Sequence, residues 1–286
     1  MTPSSDEAGL PSRGLGRSEP FDPIRFYAEY SSTVLARPGY PARAVFKSWL
    51  AFRIFGRRLF GDAGRIRRYA DIGGCFGFGA NAMASFIAEQ QREAPETSVF
   101  ELGSGFVKLG SEMFPGIEFI RGDFAEWDAG AGVFDLVTLF DVVEHVPEAG
   151  RLLRRVAEAS RYAILKTPLE TGGEWRGGKP FFEAGASHPD GHVHFFTPAA
   201  LEHLLESNGL EILERRVVQT IVPAGSDGIL LPEGTGSPVR LGAGTRTATT
   251  FRERVAGMIL RYLPFGLTRG YFGGGEHLCL CRSRVV

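Results

Sequence analysis

From residue 69 onward, short apolar runs alternate with stretches whose apolar residues recur every three to four positions. That alternation predicts a largely parallel sheet covered on both faces by helices. The apolar runs are Tyr69–Ile72, Ser98–Glu101, Ile117–Arg121, Phe134–Phe140, Tyr162–Lys166, Leu210–Val218 and Glu276–Arg282, seven predicted strands. Between them, helices are predicted over Asn81–Gln91 and over Pro147–Ser160, the second with Leu152, Leu153 and Val156 facing inward. Thr197-Pro198 opens another helix and Asn208-Gly209 closes it. Thr caps a helix N-terminus well, Pro suits the first helical position, and Gly takes the left-handed turn that ends one. Phe106–Met113 is a poor helix candidate because Gly110 interrupts it.

Outside this core, covering residues 66–222, the pattern changes. Residues 1–20 are polar and rich in Ser, Pro and Gly, and read as a disordered tail. Residues 21–65 form an expected N-terminal helical cap. Within it, Ala42–Phe60 reads as a basic amphipathic helix, apolar through Val45, Phe46, Trp49, Leu50 and Ile54, and charged through Arg43, Lys47, Arg53, Arg57 and Arg58. Residues 223–250 form a loop rich in Gly, Pro, Ser and Thr. Residues 251–286 are expected to add a helix over Phe251–Leu263 and the final strand.

Composition narrows the classes. The chain has 286 residues, 43% of them hydrophobic, enough for one α/β domain with additions. A formal net charge of −1 does not point to nucleic acid. Three cysteines (Cys75, Cys279 and Cys281) are too few for a disulfide framework, and with no apolar signal core the expected location is cytoplasmic. Cys279 and Cys281, two apart in an apolar run, should share one face of a strand.

The chemistry concentrates where strands end. Asp71 closes the first strand and is followed by a turn with Gly73, Gly74, Gly77 and Gly79, then a helical run. Glycines let a backbone approach a ligand closely, and a helix N-terminus offers free N–H donors, so this is a candidate nucleotide-cofactor turn. Glu101 ends the second strand, with Leu102 after it. Asp123 and Phe124 follow the third, and Phe140-Asp141-Val-Val-Glu144-His145 the fourth. An NAD-binding Rossmann enzyme shares the first two features but not the later series.

In order and spacing these residues resemble the class I S-adenosylmethionine-dependent methyltransferase family, over roughly residues 66–220. The segment from His192-Val-His-Phe-Phe-Thr-Pro198 to Asn208-Gly-Leu-Glu-Ile212 is similar to the late part of its small-molecule members. The resemblance implies a Rossmann-like seven-stranded α/β fold with the last strand reversed, and S-adenosyl-L-methionine as cofactor. It implies that Asp71, Gly73, Gly74 and Gly77 hold the methionine end and that Glu101, with Leu102 beside it, takes the ribose hydroxyls. Asp123 would accept from the adenine amino group with Phe124 against the ring, and Phe140 and Asp141 would wall the sulfonium. One departure stands out: Cys75 replaces the expected middle glycine of the turn, so its backbone should do without positive φ or leave that role to Gly74.

The transfer itself needs a base if the acceptor is a hydroxyl, and histidine is the natural one near neutral pH. His145, His188 and His192 are the candidates. Asp190, His188, His192 and His194 are also metal-ligand types, but the assignment is acid–base with no metal. His203 and His277 read as structural. Trp175 and Phe181, after the fifth strand, are candidates for an acceptor floor. The expected function is methyl transfer, most simply at oxygen, to a small-molecule or saccharide acceptor. A lipid-linked glycan methylated at a membrane surface through the basic helix, and a non-catalytic subunit of the same fold, are the alternatives.

Overall fold

A computed structural model describes residues 40–128, 130–169, 175–176, 179–180, 191–218 and 275–286. The expected tail, the loop at 223–250, the helix at Phe251–Leu263, Phe181, His188 and Asp190 lie outside the described residues.

Among the described residues seven strands form one sheet: β1 Arg68–Ile72, β2 Glu96–Glu101, β3 Glu118–Arg121, β4 Phe134–Phe140, β5 Ser160–Pro168, β6 Leu210–Val218 and β7 Glu276–Ser283. Their order is β3-β2-β1-β4-β5-β7-β6. The first five pair in parallel, while β7 runs antiparallel to both β5 and β6. The reversed last strand that the resemblance implied is therefore present. A two-stranded pairing of Trp175–Arg176 with Lys179–Pro180 stands apart.

Among the described residues five helices cover the sheet: α1 Tyr40–Ala63, α2 Phe78–Gln91, α3 Ser104–Met113, α4 Ala149–Ala159 and α5 Pro198–Ser207. Strand alternation sends side chains to opposite faces and creates two cores. On one face Ala70, Ile72, Val137 and Leu139 pack under Leu152, Leu153 and Val156 of α4 and Leu201 and Leu205 of α5. On the other, Tyr69, Leu136 and Ile164 pack under Phe55 and Leu59 of α1 and Met83 and Ile87 of α2. Each such apolar side chain taken fully from water contributes roughly 1.5–3 kcal/mol. The N-terminal helix is thus part of the core layer. The capping reading of α5 holds: Thr197 Oγ1 accepts from Ala200 N at 3.2 Å, and Gly209 turns the chain at φ 89°.

One expectation fails. Phe106–Met113 belongs to a regular helix, α3, in spite of Gly110. A Cβ on Gly110 would lie 2.3 Å from Phe119 Cε1, so the absent side chain lets the Phe119 ring of β3 seat against the helix. Tertiary packing outweighs the intrinsic helix cost of glycine, about 1 kcal/mol.

Candidate active site at the carboxyl ends of the strands

The parallel strands all end at one edge, where ligands bind in open α/β sheets. A cavity of about 400 Å³, lined among others by Arg68, Glu96, Glu118 and Phe134, lies at the opposite, amino ends and is the wrong edge for this chemistry.

Asp71 sits beside Thr138 in the β1–β4 register. Thr138 Oγ1 donates to Asp71 Oδ1 at 2.6 Å and lies 2.8 Å from the Tyr69 hydroxyl, all three buried. Burial raises the Asp71 carboxyl to about 7; the Thr138 bond opposes that shift, and the Glu101 charge adds to it. In the glycine turn, Gly73 and Gly77 take positive φ, at 67° and 83°. The expectation for Cys75 is corrected: Cys75 itself is left-handed at φ 49°, and Gly74 is not. Gly74 is needed for space, because a Cβ there would lie 2.7 Å from Asp71 Oδ2. Cys75 is held by its own N–H, which donates to Glu101 Oε2 at 3.1 Å.

Glu101 is the hub of this half. Its Oε1 accepts from Leu102 N at 2.7 Å and Gly103 N at 3.0 Å, and burial still holds its pKa above the ordinary value. Tyr40, at the start of α1, closes over the turn. Its ring meets Phe76 and Phe78 edge-on, and burial, with the Cys75 side chain beside it, raises its pKa. Asp123 is exposed after β3, its Oδ1 accepting from Ala125 N at 2.9 Å. Phe124 is different from expectation. Its ring is 2% exposed, stacked on Trp127 and edge-on to Phe100, so an aromatic core takes the ring that the resemblance implied would face the cofactor.

After β4 the site is built from distant segments. Asp141, at φ 58°, pairs through Oδ2 with Lys47 of α1 and through Oδ1 with Lys166 of β5 at 2.5 Å. Lys166, 2% exposed, also pairs with Glu276 of β7 at 2.7 Å. Burial alone would raise the Asp141 carboxyl, but the two ammonium groups outweigh it and hold it far below the carboxylate range. Burial would likewise lower Lys166, and its two carboxylates hold it above its ordinary value instead. Glu144 is fully buried, and neither carboxylate oxygen has a hydrogen-bond partner among the described residues. Burial, then the Asp141 charge, pushes its pKa well above the usual value.

His145 follows Glu144 in a short 3-10 turn, Val143–His145. The backbone N–H groups of Val193 and His194 both donate to the Glu144 carbonyl, at 2.9 and 3.1 Å. They pin the 191–194 segment to that turn, so the His145 and His192 rings meet edge-on at 4.7 Å. His194 instead bonds the carbonyls of Val146 and Pro147 through Nε2 at 2.9 and 3.1 Å, a clamp for the same segment.

Comparison with known proteins now decides between cofactor classes. Residues 74–215, about half the chain, match a family model described as a methyltransferase domain. The chain belongs to the class I S-adenosylmethionine-dependent methyltransferases. Solved structures carry the same fold. Magnesium protoporphyrin IX methyltransferase (ChlM) from Synechocystis PCC 6803, with bound S-adenosylhomocysteine, is similar at 12% identity and a TM-score of 0.52, over 92% of this chain and 100% of that one. A candidate sarcosine dimethylglycine methyltransferase from Galdieria sulphuraria is similar at 14% identity and 0.51, over 83% and 84%. A candidate methyltransferase complexed with the Trm112 activator of Haloferax volcanii is similar at 12% and 0.50, over 91% and 95%. At these identities the likeness speaks for the fold. No curated protein matches in sequence.

In this methyltransferase the residues fit the cofactor the family uses. A glycine cradle that a Cβ at Gly74 would fill lies between two carboxyl groups, Asp71 and Glu101, with a third, Asp123, at the next strand end. Sequence reasoning missed Tyr40, Thr138, Lys166 and Glu276. Thr138 carried a usable signal, a hydroxyl within the apolar run Leu136–Phe140. Lys47, on the expected charged side of the basic helix, points into the site, and Arg58 pairs with Asp62 at 2.7 Å, which leaves the expected basic patch two cations poorer. No helix among the described residues is long and apolar enough to cross a membrane. Cys279 and Cys281 share one face of β7 as expected, and His277 lies between Cys279 Sγ at 3.0 Å and Glu202 at 2.9 Å.

Proposed function

We propose that this methyltransferase methylates an oxygen of a small-molecule or saccharide acceptor, and that the acceptor oxygen binds and loses its proton at Glu144, His145 and His192. The observation that carries this reading is the pairing of the two imidazoles, 4.7 Å apart, beside the Asp141–Lys166 end of the site. His188, beyond the described residues, is a third candidate for the same task.

S-adenosylmethionine supplies a methyl group already activated on a sulfonium. The chain's own work is to position, to shield and to move one proton. Asp71 and the turn Gly73, Gly74 and Gly77 are assigned to the methionine end. Glu101, with Leu102, is assigned to the ribose hydroxyls and Asp123 to the adenine amino group. Phe124 backs Asp123 from the core. Phe140 and Asp141 form the wall toward the acceptor, with the Asp141 charge fixed by Lys47 and Lys166. Tyr40 and α1 cover the turn and exclude water.

Calorimetric titration of S-adenosylhomocysteine into the wild type and Glu101→Ala tests the cofactor half. Release of S-adenosylhomocysteine with a panel of hydroxylated, amino and carboxylated acceptors tests the rest. Turnover confined to hydroxylated acceptors, and lost in His145→Ala and His192→Ala, is expected. Turnover on amines or carboxylates only, or unaffected by both substitutions, overturns the assignment to oxygen and to this cluster.

A further inference from the structure

We propose that Glu144, His145 and His192 form a binding site for one divalent transition-metal cation of the zinc class. The three side chains each offer a ligand atom, and these atoms all lie within 4.8 Å of one another. Ligand atoms roughly 2.0–2.2 Å from a tetrahedral centre stand roughly 3.4 Å apart, so small side-chain rotations close the set around an ion. Two imidazoles and one carboxylate are a donor set that suits zinc, cobalt or iron rather than magnesium or calcium.

The geometry around the three residues is that of a site. Glu144 is fully buried, yet neither of its oxygens meets a hydrogen-bond donor among the described residues. Buried carboxylates are ordinarily paired or metal-bound. Its neighbours do not supply the missing charge: Lys166 is committed to Asp141 and Glu276, and Lys47 to Asp141. The cluster is also oriented from behind. His145 Nδ1 lies 3.3 Å from the Gly191 carbonyl, and donating there leaves the lone pair of a neutral ring on Nε2, the nitrogen 3.9 Å from Glu144 Oε1. An imidazole whose second nitrogen donates to a backbone carbonyl is the usual outer partner of a metal-ligating histidine. The bonds from Val193 and His194 to the Glu144 carbonyl hold His192 against the other two ligands.

Three protein ligands leave a position open, the pattern of catalytic rather than structural sites. That position suits an acceptor oxygen: a bound cation lowers the pKa of the hydroxyl, and its proton passes to the Glu144 oxygen that does not ligate the ion. This last role rests on the oxygen-methylation reading; the binding of the ion does not.

The test is titration of Co²⁺ into metal-stripped full-length protein, followed by visible d–d absorption and by elemental analysis for stoichiometry. S-adenosylhomocysteine titration on the same samples reports whether the fold and the cofactor site are intact. One Co²⁺ per chain is expected. Glu144→Gln and His192→Ala should weaken it by more than about 10-fold, the loss typical of removing a mere outer partner. Exposed His203→Ala should leave it unchanged. Absence of Co²⁺ binding in protein that still takes S-adenosylhomocysteine overturns the proposal, as does binding that survives both substitutions. Co²⁺ binding with no affinity for S-adenosylhomocysteine keeps the metal site and overturns the cofactor assignments.

Discussion

The two halves of the site are built in opposite ways. Around β1 and β2 the carboxylates are satisfied by strand-end turns and by the strand next door: Glu101 by the N–H groups of Leu102, Gly103 and Cys75, and Asp71 by one hydroxyl from β4. Around β4 the partners come from across the molecule: Lys47 from α1, Lys166 from β5, Glu276 from β7 and His192 from the segment before α5. A half made of strand-end turns is fixed once β1 has paired with its two neighbours, β2 and β4. A half made of long-range ion pairs exists only when the whole sheet and the N-terminal helix have assembled. On the proposed reading the first half holds the cofactor and the second the acceptor.

Breaking the long-range half should have the largest effect on stability. Lys166→Ala removes a buried ammonium shared by two part-exposed carboxylates, Asp141 and Glu276, and leaves Asp141 with Lys47 alone; the loss should approach the lower end of the roughly 3–5 kcal/mol that breaking a fully buried pair costs. Chemical denaturation should show this loss. An unchanged midpoint would mean that water replaces the ammonium and that the network is peripheral.

The local half makes a prediction about pH. The Asp71 carboxyl is raised to about 7 in the fold, above its unfolded value, so the native state binds the extra proton. Stability from this group is therefore full below the unfolded pKa, falls as pH rises toward about 7, and is flat above it. Against Asp71→Asn, which keeps the Thr138 bond without the charge, the wild type should lose on the order of 4 kcal/mol across that window. Parallel denaturation series at several pH values check it; a constant difference between the two proteins would refute the shift.

Glu101→Ala should weaken S-adenosylhomocysteine by about 100-fold, since hydrogen bonds to a charged group contribute roughly 1.5–3 kcal/mol each. Glu101→Gln should fall between, because an amide accepts at one oxygen only. Equal affinity in all three proteins would remove Glu101 from the cofactor site. The smallest effect is expected at the edge of the local half. Gly110→Ala drives a methyl into Phe119 and should destabilise by about 1–3 kcal/mol while leaving cofactor affinity within a few-fold. A neutral or stabilising result would show that the Phe119 ring can give way.

The split between the halves explains what was legible in the chain. The seven strands, α2, α4 and α5 follow from runs and periods of apolar residues, because a strand buried on both faces has little choice of composition. Asp71, Glu101 and Asp123 were readable because strand ends and glycine turns are sequence-local. Gly110 misled because its penalty is local and its compensation, the Phe119 ring, comes from another strand. Cys75 misled for a similar reason: its left-handed backbone is held by Glu101, 26 positions away. Phe124 was assigned by its place beside Asp123, but its ring direction was set by Trp127 and Phe100.

The sequence by itself determined the α/β class, the seven strands and the acidic series at their tips, since these depend on periodicity and on residues adjacent in the chain. Only the tertiary structure decided that Lys47 turns inward to Asp141, that Lys166 lies between two carboxylates, and that Glu144, His145 and His192 converge. Charges and imidazoles interact through space, over a few ångströms, and nothing in their spacing along the chain records which of them the fold brings together.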